Sequence, residues 1–491
     1  MTFAFSFLAS RPLARCAVCL LTLSGCAPLA PAPDPGARVS RVVTPEDWRQ
    51  REAAANLAAE GGETQSLATW WAAFGDRDLS DLIQRALLNA PDRRLAEARL
   101  RQARAQRNLA RADYWPTLSA SARASRSPGS EDNNTHYQAG FDASWEVDVF
   151  GRTRHAVAAS EADLAAAEAN LSMAEVTLAA EIAREYVTYR TLQARYAIAR
   201  QNAQSQTELL EIVRWRAAAG LVSEMDVENA RVLLAQTEAS LPLLANERLS
   251  ALHSLDVLLG LTPGSLENTL SAPRPLPRPP ERIAVGIPAD TLARRPDVRA
   301  AEASLRAEGE RADAQSAERF PVLTLSGSFG WEAISRAALG EHESIVRSLM
   351  AALSASLFDG GRLKNRIIAQ DAVLEEALVR YEQSLVAALT EVENALAAHA
   401  AGQSRLALYA EALEAARGAA TLARQMYQAG LSDFQSVLES QRSLLSAEEN
   451  RINAEGDTLL ALVALYKAMG GGWRQETPPA NSPSSPSAHT S

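Results

Sequence analysis

The sequence predicts a mainly helical chain with a smaller β component, laid out as two copies of one plan. Three observations carry this prediction. First, 47% of the 491 residues are hydrophobic but only 5% are aromatic, and alanine supplies much of the apolar share, as in Ala156–Ala169 and Ala410–Ala423. Alanine is the best helix former and has the smallest buried side chain, so long, closely packed helices are favoured over a broad aliphatic core. Second, Pro91-Asp92-x-Arg94-x-Ala96-Glu97-Ala98-x-Leu100-Arg101 recurs as Pro296-Asp297-x-Arg299-x-Ala301-Glu302-Ala303-x-Leu305-Arg306. The correspondence continues through Trp115-Pro116 and Phe320-Pro321, Gly151-Arg152 and Gly361-Arg362, and Gly220-Leu221 and Gly430-Leu431. A repeat of this length is a tandem duplication, with a short insertion in the second copy between Pro321 and Gly361. Third, both copies carry segments that alternate apolar and polar residues with a period of two, the mark of half-buried strands.

The start of the chain reads as a leader. Arg11 and Arg15 precede the apolar run Ala17–Leu23, which is too short to span a bilayer, and the segment ends in Leu23-Ser24-Gly25-Cys26. Small residues before a cysteine resemble a bacterial lipobox, in which Cys26 would be acylated and become the mature N-terminus; the other reading is an ordinary signal peptide with an incidental cysteine. Cys16 and Cys19 lie inside the leader, so their C-x-x-C spacing predicts no redox or metal chemistry. Ala27 after the cysteine favours outer-membrane sorting, by resemblance to lipoprotein rules. The net charge is −10, and cleavage before Cys26 would remove two arginines and no acid. A chain this acidic, without a basic patch, is not a nucleic-acid binder.

In order, the expected parts are the leader 1–25, a lipid anchor and tether over 26–65, and a first repeat over 66–270. That repeat holds strands at about 115–126 and 137–150 and a helical hairpin over 152–260. A proline-rich linker, 271–289, follows, since Pro273, Pro275, Pro277, Pro279 and Pro280 forbid a helix. The second repeat, 290–474, has strands at about 320–331 and 348–359 and a hairpin over 362–470, and 475–491 is a disordered tail. Ahead of the strands, one helix is expected over 76–113 and another over 289–318.

In the strands, Phe141, Ala143, Trp145, Val147 and Val149 alternate with Gly140, Asp142, Ser144, Glu146 and Asp148. Leu118, Ala120, Ala122 and Ala124 form one face of the first strand, Leu323, Leu325, Phe329 and Trp331 one face of the third, and Leu349, Ala351, Leu353, Ala355 and Leu357 one face of the last. Ser127–Thr135 between the first two strands reads as a turn or exposed loop. Such strands fit a membrane barrel with a wet interior and fit a soluble sandwich equally well. Four strands cannot close a water-filled barrel, so a membrane reading requires several chains to share one.

From Arg152 to Gly220, and again from Arg362 to Gly430, there is no proline. Val157, Leu164, Leu171 and Leu178 repeat every seventh residue, as do Leu378, Leu385, Val392, His399, Leu406 and Leu413, which predicts coiled-coil seams with His399 as a seam residue. Each helix runs to a glycine turn: Gly220, Leu221, Val222 and Ser223 in the first hairpin, and Gly430, Leu431, Ser432 and Asp433 in the second. Glycine suits a left-handed C′ position, and Ser223 and Ser432 or Asp433 can cap the outgoing helices, Glu224–Leu259 and Phe434–Met469. The outgoing helices are of similar length, so both tips should lie at one level.

Catalytic motifs are absent. The six histidines, at 136, 155, 253, 342, 399 and 489, are not at metal-ligand spacing. No phosphate-loop, nucleophile-elbow or metalloprotease pattern occurs, and Gly470-Gly471-Gly472 closes a helix instead of following a strand. No enzyme activity, cofactor or metal is predicted.

The stretch Ile283-Ala284-Val285-Gly286-Ile287-Pro288-Ala289-Asp290-x-Leu292-x-Arg294-Arg295-Pro296-Asp297-Val298-Arg299-Ala300-Ala301-Glu302 resembles the central signature of the TolC-type outer membrane factors, in their lipoprotein branch (OprM-like, NodT-like). Leu465-Tyr466-Lys467-Ala468-Met469-Gly470-Gly471-Gly472-Trp473 resembles the end of that branch, and Tyr427-x-x-Gly430-Leu431-x-Asp433-Phe434-x-x-Val437-Leu438-x-x-Gln441-Arg442 its second tip. Arg216-x-x-x-Gly220-Leu221-Val222-Ser223-x-x-Asp226 is similar to its adaptor-facing first tip. The resemblance covers roughly residues 65–475. It implies a homotrimer with a 12-stranded outer-membrane barrel and a periplasmic α-barrel tunnel, docked through a periplasmic adaptor protein onto an inner-membrane pump of the RND type. It also implies a closed aperture just past the second tip. There Glu439 falls on the acidic ring position and Gln435 on a position where OprM-like members carry leucine, which points to a polar closure. Ser436 stands where TolC has a further ring aspartate, and Asp433 would add to the acidic field or cap its helix.

The expected function is therefore a passive exit duct for small molecules in the outer membrane. Two alternatives stand beside it: a periplasmic coiled-coil scaffold or adaptor lipoprotein that spans nothing, and the same fold serving protein secretion.

Overall fold

The computed structural model describes residues 45–50, 67–126, 135–279 and 288–473. These belong to one compact unit, Val42–Ser491. The leader 1–25, Cys26, nearly all of the tether, residues 127–134, Pro280, Ile283–Ile287 of the central signature and the tail 475–491 lie outside the described residues.

A short 3₁₀ turn, Trp70–Phe74, leads into α1 (Arg77–Asn89) and α2 (Pro91–Ala112). The single helix expected over 76–113 is thus two, because Ala90 takes an extended conformation ahead of Pro91, which opens α2 at its first turn. Strands β1 (Thr117–Arg126) and β2 (Thr135–Val147) follow, then α3 (Arg152–Ala218), α4 (Glu224–Leu259) and the short α5 (Glu267–Leu270). The proline segment 271–279 forms no helix. The second copy repeats the plan as α6 (Pro288–Arg294), α7 (Pro296–Ala317), β3 (Val322–Ala333), β4 (Ile345–Ser354), α8 (Arg362–Gln428) and α9 (Phe434–Ala468). The helix expected over 289–318 is again broken, at the residue before Pro296.

Matched positions take matched geometry. Both α3 and α8 have 67 residues, about 100 Å at 1.5 Å per residue. Gly151 and Gly361 precede them at φ 86° and 85°. In each copy the aspartate ending the strand segment caps the long helix, Asp148 accepting from the amides of Thr153 and Arg154, and Asp359 from those of Gly361 and Leu363. The last strand stops at Ser354, and the chain turns away through Ser356–Asp359 instead of extending to 359.

The four strands form one antiparallel sheet in the order β1-β2-β3-β4. Direct cross-strand partners lie on the same face. The register sets Leu118 opposite Ala143, Ala120 opposite Phe141, Phe141 opposite Phe329, Trp145 opposite Leu325, Leu325 opposite Ala351 and Leu323 opposite Leu353. Within the strands the apolar rows read from the sequence therefore fall on one face, which also carries Arg347, and Ser121, Asp142, Ser144, Ser326, Ser328 and Ser348 fall on the other; Val149, Ala355 and Leu357 lie beyond the strand ends. Gly140 and Gly330 form a pair so close that a Cβ on Gly140 would sit 2.8 Å from the Gly330 backbone. Among the described residues no helix covers the sheet: β1 is exposed along its whole length. No helix among the described residues is long and apolar enough to cross a membrane.

The main core lies at the ends of α2 and α7 away from the sheet, where α1, the middle of α3, α4 and α9 meet the turn at Trp70. Trp70 stacks on Tyr466 with centroids 4.9 Å apart, and Gly471 lets the chain pass against its ring. Two buried arginines tie the linkers to this core. Arg190 donates to Asp78, Tyr186, Gln193 and the Ala272 carbonyl. Arg295, from the central signature, donates to Asp297, Glu391 and the Ala468 carbonyl, closing the end of α9.

Candidate functional site at the hairpin tips

Each hairpin tip begins with a helix that must dispose of its last carbonyls. In α3 the Gly220 amide donates to the Ala217 carbonyl and the Leu221 amide to that of Arg216, at 2.8 and 2.9 Å. In α8 Gly430 donates to Tyr427 and Leu431 to Met426, at 3.1 and 2.8 Å. Both are the paired C-terminal bonds that require a left-handed residue, and Gly220 and Gly430 supply it at φ 73° and 74°. The turn throws the next side chain outward, leaving Leu221 70% and Leu431 73% exposed. Val222 instead packs against the core beneath the tips.

The outgoing helices start by different chemistry. Ser223 and Asp226 form a reciprocal capping box on α4. Asp433, not Ser432, caps α9, accepting from the Ser436 amide at 3.0 Å and from its hydroxyl at 2.6 Å. Those bonds hold the Asp433 carboxyl below its ordinary pKa, so it is an anion at neutral pH.

Beneath the turns, Leu209, Leu210, Val213, Val227, Ala230 and Leu233 of the first hairpin pack against Tyr427, Phe434, Val437 and Leu438 of the second. Burial of these positions on α9 turns the rest of its first two turns to solvent. Gln435 and Glu439 both lie on that exposed side, and the Gln435 amide donates to Glu439 at 3.2 Å. The structure thus brings Gln435 and Glu439 into contact and sets Asp433 at the head of the same helix. Gly220, Leu221, Gly430 and Leu431 stand at the two turns.

One contact escapes the sequence reading. Arg216 of α3 reaches across to α8, donating to the Tyr427 carbonyl at 3.0 Å and the Gln428 carbonyl at 3.3 Å. Its guanidinium also lies 4.5 Å from the Tyr427 ring centroid. Both residues stand in the tip segments, but nothing in either segment names the other as partner. The only sequence signal is a cation and an aromatic in the last turns of two duplicated helices.

Two long hairpins with side-by-side tips hang from one rim of a single-layer, two-faced sheet. The sequence matches the outer membrane efflux proteins over residues 82–261 and 287–471, spanning both copies. The chain belongs to that family. It is 34% identical to the pyoverdine export outer membrane protein OpmQ of Pseudomonas aeruginosa, over 89% of this chain and 93% of that protein. It is 30% identical to the toluene efflux pump outer membrane protein TtgI of Pseudomonas putida, over 82% of this chain and 86% of that one. Among solved structures, the outer-membrane channel OprN matches with a TM-score of 0.82 and 35% identity, covering 88% of this chain and 98% of OprN. As an outer membrane efflux protein the chain is a channel component of an efflux system, and its place is the outer membrane.

Proposed function

We propose that this chain is the passive, trimeric exit duct of a tripartite efflux system, opened at its periplasmic end by an adaptor and performing no chemistry of its own. The observation that carries the reading is the sheet. Among the described residues its outer strands, β1 and β4, have no partner on their far sides, and one face is apolar but for Arg347 and, at the far rim, Arg126 and Thr135. Unpaired edges and a bare apolar face are both costly in water. Three four-stranded sheets joined edge to edge would close a barrel of twelve strands, with lipid outside and water within. By the register, the ends of all four strands that join helices lie on one rim, so the helices of all three copies would continue as a single tunnel.

Acylated Cys26 would anchor each chain to the outer membrane. Gly220, Leu221, Val222 and Ser223, with Gly430, Leu431 and Ser432, would receive the adaptor, with an RND-type pump behind it. Three-fold repetition of Gln435, Glu439 and Asp433 would form a polar, acidic aperture that favours cations. Relatives named for pyoverdine export and for toluene efflux share the chain's length and plan, which supports leaving the choice of cargo to the pump.

The test is single-channel conductance of the purified Gln435→Ala/Glu439→Ala protein in a planar bilayer. Discrete, cation-favouring steps, larger or longer-lived than those of the parent, are expected. Failure to insert at all, together with no heat-dependent shift of the trimer on a denaturing gel, would overturn the duct reading. An inserted but silent variant would instead move the closure away from Gln435 and Glu439.

A further inference from the structure

We propose that His155, Glu310 and Asp313 form a binding site for a first-row divalent transition-metal ion, with zinc the natural probe, clamping the first repeat to the second at the sheet end of the helices. His155 lies in the first turn of α3, and Glu310 and Asp313 lie one turn apart on the same face of α7 near its end. His155 Nδ1 is 2.7 Å from a Glu310 carboxylate oxygen. One donor atom from each of the three residues lies within 4.8 Å of both others. Zinc bonds to nitrogen and oxygen at about 2.0–2.2 Å, which in a tetrahedral site places donors about 3.4 Å apart. The observed spread brackets that edge, so small rotations of three half-buried side chains would complete the site. Water would fill the remaining positions.

The charge pattern of the seam between α3 and α7 points the same way. Elsewhere along it, carboxylates are met by arginine: Arg311 pairs with both Asp163 and Glu308. At His155 the solution differs. Among the described residues Asp313 forms no ion pair with arginine or lysine, and Glu310 pairs only with the imidazole. Glu310 and Asp313 thus share one pocket without an arginine or lysine. A divalent ion supplies the missing charge, and the imidazole nitrogen selects a transition metal over magnesium or calcium.

The arrangement is not a by-product of the duplicated plan. The corresponding positions of the other copy are Asn365, Ala105 and Asn108, which offer no imidazole and no carboxylate. The seam lies between two helices of one chain, so the site is complete without a second copy.

The experiment is equilibrium dialysis of the purified full-length protein, stripped with chelator, against zinc, with excess magnesium present. One zinc per chain is expected, with affinity falling at least about tenfold in His155→Gln and in Asp313→Asn. Cobalt in place of zinc should give visible d–d absorption of a mixed nitrogen–oxygen site, lost in both variants. The heat-dependent gel shift of each variant verifies that the trimer is intact. Absence of zinc binding by the parent protein would overturn the proposal, as would undiminished binding by the intact His155→Gln trimer.

Discussion

The guanidinium of Arg216 sits over the ring of Tyr427 while donating to the Tyr427 carbonyl, so one side chain of the first hairpin closes the end of the long helix of the second. The two tips are therefore joined within one chain by a charge-assisted bond and a cation–π contact, each worth about 0.5–3 kcal/mol. Replacing Arg216 with alanine should remove both, leaving the Tyr427 carbonyl only the Gly430 amide and the Gln428 carbonyl to water. Cells carrying Arg216→Ala are expected to admit a large antibiotic excluded by the parent, with trimer yield unchanged. A double-mutant cycle with Tyr427→Leu should show strong coupling in the same uptake assay, and simple additivity would count against the link.

At the turn itself, the penalty of a side chain at Gly430 is separable from crowding. A Cβ there would meet nothing within 4 Å, so only the left-handed backbone resists substitution. Gly430→Ala should cost about 1–2 kcal/mol, with Gly430→Asn costing less and Gly430→Val more. The order of thermal inactivation midpoints across the three variants checks this, since steric crowding would rank them by size alone.

Arg190 has no exposed surface and donates to a side chain on each of two helices and to the linker after α5. Arg190→Met keeps the volume but takes one of two arginines from Asp78, leaving it Arg274, and removes the Arg190 donor from the Ala272 carbonyl. The expected loss is about 1–3 kcal/mol, read as a lower aggregation temperature and faster tryptic cleavage near the linker. A variant as resistant as the parent would show that water replaces the guanidinium without cost.

Burial lowers the pKa of His399 below its ordinary value of 6.5, outweighing the contact with the Thr458 backbone that raises it. The native state thus prefers the neutral imidazole, and the unfolded chain takes up the proton first. Stability from this group is complete above pH 6.5 and declines as the pH falls from there toward the lowered native value. His399→Leu should flatten the fall in thermal stability over that acidic window while leaving neutral-pH stability nearly unchanged. An identical pH profile in the variant would place the dependence elsewhere.

The sequence by itself determined the mainly helical composition, the duplication, the glycine turns and the alternation of the strands. These are local properties: alanine content, a left-handed glycine after a helix, a period of two. It also carried the family, because the central and terminal signatures are contiguous strings. It passed over the breaks at Ala90-Pro91 and Arg295-Pro296, where the proline ring acts on the conformation of the residue before it. What only the tertiary structure decided are relationships between distant segments. The register that gathers Leu118, Phe141, Phe329 and Leu349 on one face depends on how strands from two copies pair. Arg216 met Tyr427 because α3 and α8 run side by side from the sheet to the tips, and His155 met Glu310 and Asp313 because α7 runs antiparallel to α3. Spacing along the chain holds no record of such a meeting, since helix packing, not sequence separation, sets which side chains share a level.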